Sequence, residues 1–98
     1  MKIQSKKVLK TLKGSDLKNQ EDQPLTLGEA LGMILTNAKD GGKMKLFLLA
    51  QKFSEGKDVE IDQADLGIIK KGVESTEIYN NLVTGQILVI LEDVKEKK

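Results

Sequence analysis

The chemistry open to this chain is narrow. Its reactive side chains are Lys, Asp, Glu, Ser, Thr and the single Tyr79, because His, Cys, Trp and Arg are absent. All sixteen basic residues are lysines. The missing types supply most general bases, thiolate nucleophiles, soft-metal ligands and bidentate readers of phosphate or guanine. What remains could serve as a Lys nucleophile or a carboxylate pair, but only in a desolvated pocket that perturbs a pKa. No spacing marks such a residue. Each acid has a structural place at a helix start, in a turn or at the polar end of the chain, so catalysis and a bound cofactor are not expected.

Three further patterns bear on a site. Five acids between Glu55 and Asp65 raise a calcium loop. Placing Ile61 at the apolar eighth position of such a loop puts Ser54 first, Gly56 third, Val59 at the turn glycine and the short Asp65 last, so the register fails. Helix capping and a solvated turn account for these acids, and no metal is expected. A helix-turn-helix would need a shorter connection before its third helix, whose basic residues, Lys70 and Lys71, come late rather than at the reading end. Lysines at 2, 6, 7, 10 and 13 precede the first acid, Asp16, leaving a basic arm that could touch phosphates without reading sequence.

These residues must be held by few elements. Val8, Leu9 and Leu12, the turn Gly14-Ser15-Asp16 and Leu17 read as a weak hairpin, followed by a polar loop to Pro24. Thr26-Leu27-Gly28-Glu29 matches a capping box. From there Leu27, Ala30, Leu31, Ile34 and Ala38 recur at helical spacing to about Lys39, where Asp40-Gly41-Gly42 ends the helix. A second helix spans Lys43 to Ser54, with Leu46, Leu49, Ala50 and Phe53 on one face, and with Met44, Phe47 and Leu48 widening the stripe toward a further neighbour. Val59-Glu60-Ile61 is a short extended segment. Asp62 and Asp65 open a third helix, with Leu66, Ile69 and Val73 buried. The run Ile87 to Leu91 fits a buried strand or a buried helix; the length of the apolar segment favours a helix at the centre of the bundle. No internal repeat stands out.

The expected fold is mainly α: three to four short helices with an N-terminal β-hairpin or extended arm, with α+β as an alternative. With 98 residues it forms one domain, residues 1–24 being the basic hairpin and polar loop and residues 25–94 the helical core. A formal charge of +1 opposes a strongly basic nucleic-acid binder. At the other end Lys95, Lys97 and Lys98 are offset by neighbouring acids. Absence of Cys, of a membrane-length apolar run and of a secretory pattern leads to the expectation of a cytoplasmic protein.

Gly28 and Gly32 share one face of the first helix, where each costs roughly 1 kcal/mol relative to Ala. Close packing inside the chain would account for them; so would a flat face meeting a partner. Met33 and Leu35 lie off the main stripe and join that second possibility, with Lys6, Lys7 and Lys10 as a basic margin. The chain also resembles small proteins encoded in bacteriophage and prophage genomes. The resemblance rests on Pro24-Leu25-Thr26-Leu27-Gly28-Glu29-Ala30-Leu31, Asp58-Val59-Glu60-Ile61 and Leu82-Val83-Thr84-Gly85-Gln86-Ile87-Leu88. It implies a viral accessory protein that acts by binding and carries over no catalytic residue. The expected role is protein-protein binding or self-association, with no membrane; the alternative is a regulator touching nucleic-acid phosphates through the lysine-rich arm.

Overall fold

The computed structural model describes residues 1–39 and 41–96, the side chains of 95 and 96 excepted. Asp40 of the expected helix terminator, the closing Lys97 and Lys98, and the Lys95 side chain therefore lie outside the described residues. The order is β1 (Lys2–Ile3), α1 (Leu27–Thr36), α2 (Lys43–Ser54), β2 (Val59–Glu60), α3 (Gln63–Ser75) and α4 (Asn81–Glu96). The fold is mainly α, four helices around an aliphatic core, as the periodicity requires. β1 and β2 pair antiparallel, with Lys2 opposite Glu60 and Ile3 opposite Val59. Val59 and Ile61 point inward and Glu60 outward, the alternation of a half-buried strand.

The hairpin exists, but as one part of a closed ring. Leu17 N–H donates to Leu9 O at 2.9 Å, Leu25 N–H to Leu17 O at 2.8 Å, and Leu9 N–H to Leu25 O at 2.9 Å. Three short segments, eight residues apart, thus satisfy one another's backbones in a triangle. Their turns correspond as well: Thr11 N–H bonds Ser15 O and Asn19 N–H bonds Gln23 O, both at 2.7 Å. Gly14 and Asp22 hold the positive φ that each turn needs, at 90° and 61°. The correspondence is one of backbone pairing rather than of repeated sequence. Leu12, assigned to the apolar side of the first strand, instead projects from the turn and is almost fully exposed. On its outer edge the ring is closed by α4: Gln86 Oε1 accepts from Lys10 N–H at 2.7 Å and Gln86 Nε2 donates to Lys10 O at 2.8 Å, as a neighbouring strand would.

α1 starts at Thr26, whose hydroxyl accepts from Glu29 N–H at 3.2 Å. The reciprocal half of the expected capping box is missing. The Glu29 carboxylate is taken by Asn19 Nδ2, at 3.0 and 3.2 Å to its two oxygens. The complete box is at α3, where Asp65 N–H donates to Asp62 Oδ1 at 2.8 Å and Asp62 N–H to Asp65 Oδ2 at 3.2 Å. α1 also stops at Thr36, short of Lys39. Thr36 Oγ1 and Asn37 Nδ2 there donate to the Gly32 and Met33 carbonyls, capping them from the side chains.

The central helix is α1, which packs on α2 and on α3, while α4 packs on α3 and β1. This corrects the placement of the last helix at the centre. α4 buries Val83, Ile87 and Leu91, spaced four apart, and leaves Val89 exposed. Its continuous apolar run reflects one buried stripe with half-buried flanks. On α2 the buried set is Leu46, Leu49, Ala50 and Phe53, and on α3 it includes Leu66, Ile69 and Val73, as their spacing predicts.

Candidate functional site

The expected interface on α1 is consumed inside the chain. A Cβ at Gly28 would lie 2.5 Å from the Phe53 carbonyl oxygen and 2.6 Å from Ser5 Cβ, and Gly28 N–H donates to Ser5 O at 2.8 Å. A Cβ at Gly32 would lie 2.5 Å from Ser54 Oγ. The two glycines therefore let α1 and α2 approach closely, which is the packing reading of their spacing. Leu35 is fully buried, covered by α3 at Gly72. Of the four residues assigned to the face, only Met33 is open to solvent, at 48% exposure.

The lysine margin is scattered in the same way. Lys6 extends along the turn at Gly56, Lys7 borders the cleft between Leu27 and α4, and Lys10 forms an ion pair with Asp16. Lys10 holds the Asp16 carboxyl below the usual aspartate range. These three do not form one patch.

What the molecule does leave open is the outer side of α2. Met44, Phe47 and Leu48 are exposed by 76%, 63% and 46%, on the side of the helix away from its buried stripe. Spaced at i, i+3 and i+4, they adjoin one another, and Gln51 continues the row. The buried face of α2 is already complete without them. They are thus a second apolar stripe on one short helix. Beside it, between α1 and the end of α2, runs a shallow groove of ≈ 250 Å³ with Gly32 and Met33 on one wall and Ser54 on the other. Phe47 precedes Ser54 by two helical turns and shares its side of α2, so the exposed row points along the helix toward the Ser54 end of the groove.

The charges around this face are mainly positive. α2 carries Lys43, Lys45 and Lys52 and no acid; Glu55 follows at its C-terminal end. Lys45 Nζ lies 2.5 Å from Asp65 Oδ1, tying the flank of α2 to the first turn of α3. Asp65 is held below the ordinary aspartate pKa chiefly by Lys45, against the opposing effect of its burial, and the Asp62 cap adds to the lowering. Lys45 is raised by the same contact. With Lys45 engaged, Lys43 and Lys52 are the cations left to the open face.

Magnitudes decide what this face can do alone. Burying a side chain of this kind is worth roughly 1.5–3 kcal/mol, so the three give on the order of 5 kcal/mol. Association itself costs roughly 4–15 kcal/mol. A useful contact therefore has to draw on Met33 and on the lysines as well. The width of the α2 stripe is legible in its spacing, whereas the face expected on α1 is internal packing. The available signal was that Met44, Phe47 and Leu48 lie opposite a stripe that was already sufficient.

Among the described residues no helix is long and apolar enough to cross a membrane. Compared with known proteins, the chain matches no protein-family model, no curated protein and no solved structure.

Proposed function

We propose that this protein is a non-catalytic binding module that docks another protein on the outer face of α2, with Met44, Phe47 and Leu48 as the apolar contact and Met33 at its edge. The observation that supports this reading is that α2 is apolar on two opposite sides and only one is covered by the described residues. Exposed apolar stripes of this kind, rimmed by charge, are what binding surfaces use. Methionine adds adaptability, because its unbranched side chain reshapes to fit different partners. The accessory role in a bacteriophage or prophage, implied by the resemblance in Pro24 to Leu31, is compatible with this mode of action.

Site-specific crosslinking in cells tests it. A photoreactive phenylalanine analogue at Phe47 should give a discrete adduct of higher mass, while the same analogue at Glu74, exposed on α3, should not. Equal yields at both positions would remove the docking role.

A further inference from the structure

We infer that the partner docked on α2 presents an acidic amphipathic helix. The inference rests on the docking role proposed above and names the chemistry of its occupant. The exposed stripe has the i, i+3, i+4 spacing of a single helix face and covers about 6 Å of the roughly 18 Å length of the 12-residue α2. A helix laid against such a face offers matching anchors at i, i+3, i+4 and i+7. The flanks of α2 contribute Lys43 and Lys52, and the nearest acid on α3, Asp65, is already taken by Lys45. Among the described residues, Glu55 lies beyond the C-terminal end of the stripe, and Glu29, which lines the neighbouring groove, is bonded by Asn19 Nδ2. Carboxylates along both sides of the incoming helix are therefore complementary, and lysines there are repelled.

A second copy of the chain fits less well. Pairing α2 with its own image would set one lysine-bearing helix on another.

Two helical peptides of equal length test the assignment, with Leu at i, i+3, i+4 and i+7 and flanks of Glu in one and Lys in the other. Binding is read by fluorescence anisotropy on the full chain. The Glu-flanked peptide should bind at least about tenfold more tightly than the Lys-flanked one, and that margin should shrink at high salt. Phe47→Asp should abolish its binding while leaving the thermal melt unchanged, because Phe47 is exposed. Equal affinity for the two peptides would overturn the acidic class and leave the docking face standing. No binding of either, or binding that Phe47→Asp does not touch, would overturn the face itself. Concentration-dependent dimerisation in light scattering, lost in Phe47→Asp, would assign the face to a second copy and overturn the inference.

Discussion

α1 and α2 lie against each other and are comparably rich in apolar side chains, yet they meet opposite fates. α1 is enclosed by α2 on one side and α3 on the other, so that Leu27, Leu31 and Leu35 are all fully buried. α2 has the core on one side and solvent on the other. The apolar load of a helix thus reports how much surface it can bury. It does not report how many neighbours the chain supplies. The difference comes from position: α1 sits between two helices, and α2 on the outside has only one of its stripes covered.

The comparison breaks most sharply in stability. Leu35→Ala should cost about 3 kcal/mol, since it empties a fully enclosed site. Gly28→Ala should cost a similar amount, about 3 kcal/mol, because the new methyl meets the Phe53 carbonyl, a backbone atom with little room to move. Leu48→Ala should stay within about 0.5 kcal/mol. Urea denaturation of the three variants is the measurement. A Leu48→Ala loss as large as that of Leu35→Ala would mean that the outer side of α2 is covered in solution.

A smaller effect separates two glycines. Gly85 lies within α4, and a Cβ there would meet nothing within 4 Å. Gly85→Ala should therefore stabilise the fold by about 1 kcal/mol through helix propensity alone. At Gly32 the same gain is offset, because the methyl must displace the Ser54 hydroxyl, a group that can turn away. Gly32→Ala should come out near zero. A clear loss at Gly85→Ala would show that something in solution uses the space in front of it.

The parts of the fold that could be read from the chain are those where one local signal sufficed. α2 ran from Lys43 to Ser54 because helical spacing and flanking glycines define it, and the acid pair Asp62 and Asp65 marked the start of α3. The ring of Leu9, Leu17 and Leu25 was hidden because each segment is too short to show a strand periodicity, and the pattern lies in backbone pairing across the three. At α1 the Thr26 cap was legible, but the destination of Glu29 depended on Asn19, which only the second turn of the ring brings near. The spacing of Gly28 and Gly32 signalled a close approach without saying to what, and the answer, the Phe53 carbonyl and Ser54, belongs to the neighbouring helix.

The finest test concerns how firmly the exposed helix is held. Lys45 and Asp65 join the flank of α2 to the cap of α3, and α1 has no counterpart, since no ion pair among the described residues involves it. Because the folded state lowers the Asp65 pKa, this contact contributes its full stability above the ordinary aspartate value of about 3.9 and loses it as the pH falls through the lower folded value. Lys45 is raised on folding, so its share is present at neutral pH and fades only as the pH climbs past the usual lysine range. Asp65→Asn keeps an oxygen for the cap but removes the charge. It should be less stable than the parent at pH 7 and converge with it toward pH 2, a shallower acid limb in urea melts taken across that interval. Parallel acid limbs would mean that the pair contributes nothing, and that the core stripe of Leu46, Leu49, Ala50 and Phe53 alone holds α2 in place.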